Sequence, residues 1–556
     1  MKKRVILCSV FSAFFVCACG MKTEQDIEET PGESPAEQWE EAETTPLGKY
    51  PELVTYTLAK IGIADHINTP EDITYEDNAY TRYLRRILNV QNKDVFETAN
   101  MSDYTRKIEM MIGNGEELPD VMHITDKNLL DTLVEEDLLE DLSQVYEQCA
   151  SDLIKDIYSS YGENFLEEYT YDGKLMGFPN TEIDYGDNLL WLRKDWMDEL
   201  GLEDPETPEE AYDIIRTFAE KNPGSSPEGN VGLAFSLSRG RFTGPSFTVQ
   251  SIFGLSHAYP GVWILDENGD IIYGSVDENT KAGLAVLRDL YEAGVLDQNF
   301  MLRTPENILD LVNSGSCGAV FGPWSIPYGY LCTSRERLGA NWQPYLLGNE
   351  DGYVTVPCNY SNVSCIVVRK GYEHPEVVPK ILTAIYDYSR NEGAEDAEEV
   401  NDYHRTCGRW EAMPFVIDVS YKGSLQQTTK QIESVLDGET AYEDASAYIQ
   451  NMVDKCVTYL NNPDTSVYEW VTYTSRIRAV GELCRAEIKF VNEDCTALRD
   501  VDIPGKLVQM EKETFIKIVT GEENMDYFDE FVREWYRNGG EELTRSVNGA
   551  EDKNDK

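Results

Sequence analysis

The chain has 556 residues, more than a single hydrophobic core usually serves, so its length favours two or more domains. It carries 48 Lys and Arg against 101 Asp and Glu, and its formal net charge of -53 would repel nucleic acid and anionic membrane surfaces. Hydrophobic residues make up 41% and aromatic residues 11%, which excludes a disordered chain. We therefore expect a folded acidic protein with no nucleic-acid partner.

The N-terminal residues have the layout of a secretory signal. Three basic residues precede the uncharged residues 5–18, a stretch too short to cross a bilayer as a mature helix. The letters VCACG at residues 16–20 resemble the bacterial lipobox, which implies a lipoprotein signal peptide over residues 1–18 and a lipidated Cys19. Two acyl chains would hold the protein on the extracellular face of a cell membrane, as in a Gram-positive bacterium. An ordinary signal peptide is the alternative.

The residues after the lipobox are acidic and poor in apolar side chains. Residues 21–48 contain nine acids, one Lys and three Pro. Such a composition cannot bury a core, so residues 19–48 are predicted to form an acidic flexible tether, with the folded part at 49–556.

The next residues alternate between strand and helix patterns. Residues 54–58 are alternating and β-branched, which predicts a strand, and residues 77–88 place apolar side chains at helical spacing. Ser102 or Asp103 is a plausible N-cap for a second helix, followed after Pro119 by a short apolar run typical of a parallel strand. This order predicts an α/β fold with helices on both faces of a mostly parallel sheet.

Eight segments, in order, resemble the family 1 extracellular solute-binding proteins of carbohydrate ABC importers, in their longer lipoprotein form. They cover almost all of residues 50–548. Among them are YTRKIEMMIGNGEELPDV, YDGKLMGFPN, LLWLRKDWMDELGL, TPEEAYDIIRTFAEKNP and LVNSGSCGAVFGPWSIP.

The resemblance implies a two-lobed, periplasmic-binding-protein-like α/β fold with crossing hinge strands and a ligand cleft between the lobes. It places lobe 1 at about residues 49–183 plus 345–400, and lobe 2 at about 184–344 plus 401–556. A monomer would capture an oligosaccharide by lobe closure and deliver it to the permease subunits of an ABC transporter, without a cofactor and without catalysis. Two alternatives are a surface sensor or adhesin of the same fold and a secreted glycoside hydrolase.

Two candidate ligand residues come from this resemblance. Trp324 lies in SGSCGAVFGPWS, which resembles the Gly-Pro-Trp segment whose Trp stacks on a glucose ring in maltose-binding members of the family. Asp126 follows LPDVMHIT, where those members have an Asp that accepts sugar hydroxyls. The structural alternatives are a core Trp for Trp324 and a helix cap for Asp126.

A second group of candidates departs from the family pattern or lies in loops. The segment FSLSRGRFTGP has Arg239, Arg241 and Gly244 where maltose-binding members have an acid, an aromatic and a Trp, which argues against maltose. The two Arg would read a carboxylate or stack on a sugar, or else neutralise neighbouring acids. Further cleft candidates, with packing as the alternative, are Tyr185, Trp263 and Trp410.

No metal site and no catalytic motif is predicted. Longer relatives carry a calcium loop after the helix corresponding to residues 212–221, but here residues 222–230 contain a single carboxylate. The acidic turn at residues 266–270 fits a hairpin between strands better. The five His have no ligand-like spacing, and HExxH, GxSxG and P-loop motifs are absent from the sequence.

Overall fold

The computed structural model describes most of the chain after residue 33. The described residues are 34–61, 74–98, 101–162, 165–181, 189–238, 240–244, 246–266, 269–348, 352–357, 364–391, 393, 395–400, 403, 412–491 and 503–554. Cys19, Tyr185, Arg239 and Trp410 lie outside them.

The first lobe is built from residues before 182 and from a returning segment after 363. Its elements are α1 (Pro35–Thr44), β1 (Val54–Ile61), α2 (Ala79–Leu88), β2 (Val90–Thr98), α3 (Met101–Asn114), β3 (Val121–Ile124), α4 (Lys127–Glu135), α5 (Ser143–Cys149), α6 (Asp152–Ser159), β4 (Thr170–Tyr171), β5 (Lys174–Leu175), β6 (Phe178–Pro179), β14 (Cys365–Val368) and α13 (Val377–Tyr386). One continuous core joins residues 42–178 to residues 365–419.

The second lobe contains most of the remaining elements. They are β7 (Leu189–Arg193), α7 (Lys194–Leu200), α8 (Pro208–Lys221), β8 (Val231–Ala234), α9 (Gln250–Leu255), β9 (Trp263–Leu265), β10 (Ile271–Tyr273), α10 (Glu278–Glu292), α11 (Pro305–Ser314), β11 (Cys317–Gly322), α12 (Cys332–Leu338), β12 (Trp342–Tyr345), β13 (Val354–Val356), α14 (Ser424–Leu436), α15 (Ala447–Asn461), α16 (Val467–Thr472), α17 (Val480–Arg485), β15 (Ile488–Phe490), α18 (Gly505–Val519), α19 (Asp526–Trp535) and α20 (Glu541–Asn554).

The sequence explains where several of these elements begin. Strand β1 and helix α2 confirm the predicted strand and helix. Helix α2 starts where the side chain of Asn78 accepts hydrogen bonds from the backbone N–H groups of Tyr80 and Thr81, which satisfies donors that a helix start leaves open. Strands β9 and β10, which flank residues 266–270 in the sequence, pair antiparallel, so the predicted hairpin is confirmed.

The central sheet of the second lobe is buried on both faces. Its strand order is β12, β7, β11, β8. Successive side chains of β7 point to opposite faces, so Leu190 and Leu192 enter one core while Leu189 and Trp191 enter the other. A strand buried on both faces is apolar throughout, as LLWL is.

The prediction of a mostly parallel sheet is wrong. Of the strand pairs among the described residues, β1 with β2, β8 with β11 and β13 with β15 are parallel, whereas β11 and β12 pair antiparallel with β7. In the first lobe β14 also pairs antiparallel with β3 and β6. Strand β14 follows an excursion of the chain through the second lobe, and its direction on return cannot be read from local periodicity.

Part of the predicted tether is folded. Ser34 and Glu37 form a capping box, and Pro35 starts helix α1. The ring of Trp39 stacks on His374 with centroids 5.6 Å apart, and Ala42 is buried in the first core. These apolar contacts hold an otherwise acidic helix on the first lobe.

Buried polar groups fix the chain just after α1. The ammonium of Lys380 donates to the carbonyl oxygens of Thr45 at 2.7 Å and Gly48 at 2.8 Å and lies 5.4 Å from the ring centre of Tyr50. The Tyr50 hydroxyl donates to Glu376 at 2.6 Å, and His374 Nδ1 lies 3.2 Å from the same carboxylate oxygen. We call Trp39, Tyr50, His374, Glu376 and Lys380 the N-terminal cluster.

The chain passes between the lobes three times, and the described parts of these crossings lie side by side. The backbone N–H of Asn180 donates to Ser364 O at 2.7 Å, and that of Thr181 donates to Asp418 O at 2.8 Å. The backbone N–H of Ser420 donates in turn to the Thr181 hydroxyl at 2.8 Å. Residues 412–419, which the predicted division gave to lobe 2, pack in the first core.

Candidate functional site at the junction of the lobes

Trp324 stands at the end of a central strand of the second lobe. It follows β11, whose last residue, Gly322, accepts a hydrogen bond from Trp191 Nε1 at 3.1 Å. A Cβ at Gly322 would lie 2.2 Å from Ile326 Cδ1, so the Ile326 side chain would have to shift to admit any other residue. Trp324 is 5% exposed and belongs to the core, and its indole N–H is buried without a hydrogen-bond partner among the described residues.

The ring of Trp324 is covered by polar and aromatic neighbours. The guanidinium of Arg476 lies 4.5 Å from the ring centre, close enough for a cation–π contact. Tyr328 meets the ring edge-on at 6.2 Å and 81°. Because Tyr328 is 45% exposed, it presents the accessible aromatic surface of this turn.

Two π-helical segments carry these neighbours. Tyr328 lies in Pro327–Leu331 and Arg476 in Tyr473–Ala479, and the two segments pack against each other. π-Helical turns are rare and occur frequently at functional sites. Both segments belong to the second lobe.

The first lobe contributes charges to the same place. Arg390, just after α13, lies 4.8 Å from the ring centre of Tyr386 and 5.4 Å from that of Tyr448, a residue of α15 in the second lobe. Asp418 lies in the third crossing. Burial raises the pKa of its carboxyl group, and the fields of Arg390 and Arg476 oppose that shift.

These residues lie together where the two lobes meet. Desolvation raises the pKa of the Tyr328 phenol, while a hydrogen bond with Arg476 and its charge lower it. We call the following seven residues the junction cluster: Trp324, Tyr328, Tyr448 and Arg476 of the second lobe, and Tyr386, Arg390 and Asp418 of the first.

Asp126 lies in the first lobe, just beyond the carboxyl end of β3. Its side chain accepts from Leu129 N at 2.9 Å and caps helix α4. Strand β3 also carries His123, whose Nε2 is 2.9 Å from the Ser364 hydroxyl at the second crossing. Asp126 is thus on the side of the lobe that faces the crossings, and its predicted sugar contact stays a prediction.

Arg241 and Trp263 have partners inside the second lobe. Arg241 Nη1 donates to Gly261 O at 3.2 Å, and the Arg241 charge opposes the rise that burial causes in the pKa of Glu511. Trp263 is 5% exposed and packs on Tyr273 at 5.3 Å. These contacts fit neutralisation of an acid and core packing, and the predicted ligand roles of both residues stay predictions.

Four predicted residues lie outside the described parts of the chain. They are Tyr185, Arg239, Trp410 and the lipidation residue Cys19. Their roles stay predictions as well.

Two concave regions lie elsewhere in the described residues and are less suited to a sugar. A cavity of about 30 Å³ beside Thr243, Tyr259 and Pro357 has room for about one water molecule. A wide recess of about 830 Å³ lies between α1 and Tyr50, at the amino end of β1. Ligands of α/β folds bind at the carboxyl ends of strands, so the junction cluster is the better site.

Sequence reasoning missed most of the junction cluster. Arg390, Asp418, Tyr448 and Arg476 come from four segments, and the local pattern around Arg476 is that of an ordinary amphipathic helix. The composition offers one signal: with 48 Lys and Arg against 101 Asp and Glu, each Arg of the chain is a candidate for a specific role.

Within the described residues, no helix is both long and apolar enough to cross a membrane. The same described residues contain no group of three or more His, Cys, Asp or Glu side chains that could hold a metal ion.

No family model matches the chain. Lipoprotein LipO of Bacillus subtilis (strain 168) is 27% identical over 164 residues, 29% of this chain and 32% of LipO. The fructooligosaccharide ABC transporter substrate-binding protein FusA of Streptococcus pneumoniae serotype 4 is 23% identical over 261 residues, 44% of this chain and 47% of FusA. The chain therefore spans about a third and about half of the length of these two curated relatives.

A third relative is matched over more of its length. The polygalacturonan/rhamnogalacturonan-binding protein YtcQ of Bacillus subtilis (strain 168) is 22% identical over 409 residues, 72% of this chain and 75% of YtcQ. FusA and YtcQ confirm the resemblance to carbohydrate solute-binding proteins that the sequence segments indicated.

Solved structures share the architecture. A FusA EF-hand mutant in complex with fructo-nystose has a TM-score of 0.56 at 15% identity and covers 91% of this chain and 99% of its own. Alginate-binding protein AlgQ2 without calcium ion has a TM-score of 0.53 at 15% identity, and the match covers 90% of this chain and 98% of AlgQ2. The predicted two-lobed α/β fold is confirmed.

Proposed function

We propose that this protein is a substrate-binding protein that captures an oligosaccharide between its two lobes and delivers it to the permease of an ABC transporter. The observation that carries the proposal is the junction cluster, in which accessible Tyr rings and charged groups from both lobes converge on the crossings. FusA and YtcQ, which are named for binding oligo- or polysaccharides, support the same class of ligand.

The chemistry of the cluster suits a sugar. The C–H faces of a sugar ring pack on aromatic rings, while its hydroxyls need hydrogen-bond partners. Tyr328 and Tyr448 offer rings, and Asp418 offers carboxylate oxygens that accept from hydroxyl groups. Since the groups come from both lobes, lobe closure would bring them onto one ligand. Trp324, being nearly buried, acts in this scheme by supporting Arg476 and Tyr328.

The mature protein would be anchored by lipid on Cys19 and would work outside the cell as a monomer. The lipobox resemblance supports the anchor, and one relative, LipO, is named a lipoprotein. With Cys19 as the first mature residue, 14 residues, 20–33, would separate the lipid from Ser34, the cap of α1.

Binding without catalysis is part of the proposal. The relatives FusA and YtcQ are named as binding proteins and not as hydrolases. Oligosaccharides incubated with the purified protein should be recovered uncut, and release of shorter sugars would overturn this part.

The test is a thermal-shift screen of the protein, produced without residues 1–18 and with Cys19 replaced by Ser, against neutral and uronate-containing oligosaccharides. A ligand at about 100 times its dissociation constant adds about 2.7 kcal/mol to the stability of the native state, so a true ligand raises the melting temperature measurably. Calorimetric titration of each hit should give one site per chain.

Trp324→Leu keeps apolar packing but removes the support of Arg476, and it should weaken binding about 10-fold, or about 1.4 kcal/mol. Trp342→Leu is the matched control, because Trp342 is a buried Trp of the same lobe whose indole N–H donates to Ser334 at 2.9 Å. Equal affinity in wild type and Trp324→Leu would show that the ligand does not bind at the junction cluster. If no oligosaccharide of the panel binds, the proposed function is wrong.

A further inference from the structure

Two Arg side chains, one from each lobe, lie on aromatic rings of the junction cluster. Arg390 of the first lobe lies 5.4 Å from the ring centre of Tyr448, and Arg476 of the second lobe lies 4.5 Å from that of Trp324. Both act on the carboxyl group of Asp418. One carboxylate therefore serves two guanidinium groups.

Neither guanidinium forms an ion pair within 4 Å in the described residues, although the chain has more than twice as many acids as bases. Both Arg side chains are half-buried. The Nε of Arg476 is buried and has no hydrogen-bond partner among the described residues. A guanidinium has five N–H donors, so much of the binding capacity of this pair is unused.

Two other Arg side chains that are largely buried have acidic partners. Arg193 makes two hydrogen bonds to Asp195, at 2.8 and 2.6 Å, and Arg303 binds Asp297 at 2.6 Å. Desolvating an unpaired charge is costly, so two half-buried guanidiniums without an ion pair among the described residues are suited to accept an anion. An external anion that binds beside them would supply the opposite charge.

We infer that Arg390 and Arg476 bind a carboxylate of the ligand, so that the captured oligosaccharide contains a uronate residue. This inference rests on the proposed function and names its substrate class. The planar fork of a guanidinium matches a carboxylate through two parallel hydrogen bonds, and a carboxylate between the two Arg also bridges the lobes. The Trp324 ring, 4.5 Å from the Arg476 guanidinium, holds that group in position.

The test compares sugars that differ only in charge. Galacturonate, glucuronate and mannuronate trisaccharides are titrated calorimetrically into wild type, each beside its carboxyl-reduced neutral counterpart. At least one uronate trisaccharide should bind at least 10-fold more tightly than its reduced counterpart. Salt should weaken the uronate complex and leave the neutral one unchanged.

Variants locate the charge recognition. Arg476→Gln and Arg390→Gln should each weaken the uronate complex about 10-fold or more and weaken the complex with the reduced sugar by a clearly smaller factor. Arg478→Gln is the matched control, since Arg478 lies in the same π-helical segment but donates to Gln343 at 3.1 Å. It should bind both sugars as wild type does.

The outcomes separate the two proposals. Neutral oligosaccharides that bind as tightly as their uronate forms, or Arg variants that weaken both equally, would overturn the uronate inference and leave carbohydrate capture standing. If neither these trisaccharides nor the broader panel of oligosaccharides binds, both proposals fail.

Discussion

The junction cluster and the N-terminal cluster are built from the same kinds of residue, yet they differ in how their charges are satisfied. In the N-terminal cluster the Lys380 ammonium has two carbonyl acceptors and Glu376 accepts from Tyr50 and pairs with His374. In the junction cluster two guanidiniums share the influence of one carboxylate, and one buried Nε has no partner among the described residues.

This difference separates a structural role from a binding role. A buried charge that has all its partners holds chain segments together, and its loss is felt as lost stability. A half-buried guanidinium that has no ion pair among the described residues adds less to the folded state and is available to a ligand. The two clusters should therefore respond in opposite ways to mutation.

The largest expected effect is on stability, in the N-terminal cluster. Lys380 is fully buried, so Lys380→Ala leaves two carbonyl groups unpaired and opens a cavity, which should lower the free energy of unfolding by about 3 kcal/mol. Arg476→Gln, in the junction cluster, should change it by less than about 1 kcal/mol. Urea denaturation measures both, and a larger loss in Arg476→Gln would reverse the assignment of roles.

A pH dependence of opposite sign is expected for two His residues. Desolvation, with the nearby Lys60 charge, lowers the pKa of His123 to about 4, below its ordinary value of 6.5. The folded state then binds the proton less tightly than the unfolded state, so the contribution of His123 is fully present above pH 6.5 and is lost as the pH falls towards 4. Because the His123 ring is partly exposed, we expect the free energy of unfolding to fall by on the order of 1–3 kcal/mol over this pH range.

The contribution of His374 to stability depends on pH in the opposite direction. Its hydrogen bond to Glu376 raises its pKa, so its stabilisation is full below the ordinary pKa and is lost as the pH rises through the raised value. Denaturation of His123→Gln and His374→Gln at pH 4.5, 6 and 8 should show differences from wild type that change with pH in opposite directions. Parallel pH profiles would contradict the environments described for the two rings.

A smaller effect, on affinity, is expected at Tyr328. Because its ring is exposed, Tyr328→Ala should leave stability nearly unchanged but weaken oligosaccharide binding about 10-fold, or about 1.4 kcal/mol. Tyr442→Ala is the control, since Tyr442 is a 38% exposed Tyr of the second lobe whose hydroxyl donates to Asp454. Calorimetric titration measures the affinity of both variants, and equal affinities would show that Tyr328 does not contact the ligand.

The smallest expected effect distinguishes the two roles of Asp126. Asp126→Asn keeps an N-cap acceptor and should change stability by only a few tenths of a kcal/mol, whereas Asp126→Ala should cost about 1 kcal/mol. If Asp126 also accepts a sugar hydroxyl, both variants weaken binding. If neither variant changes the affinity and only Asp126→Ala lowers the stability, Asp126 caps the helix and does not contact the ligand.

The sequence predicts what depends on neighbouring residues and misses what depends on distant ones. Helix α2 and the hairpin of β9 and β10 follow from local spacing, capping and turn residues. The direction of β14 and the tight contact of Arg476 with Trp324 depend on segments more than 100 residues apart along the chain. The two π-helical turns have no local signature, so the sequence analysis did not identify Tyr328 or Arg476.

The central claim is that the ligand binds between the lobes at the junction cluster. A crystal structure of the protein with an oligosaccharide from the screen tests it most directly. We predict density for sugar rings in contact with Tyr328 and Tyr448, with groups of both lobes bound to one ligand. A sugar held by one lobe alone, for example in the recess between α1 and Tyr50, would contradict the account.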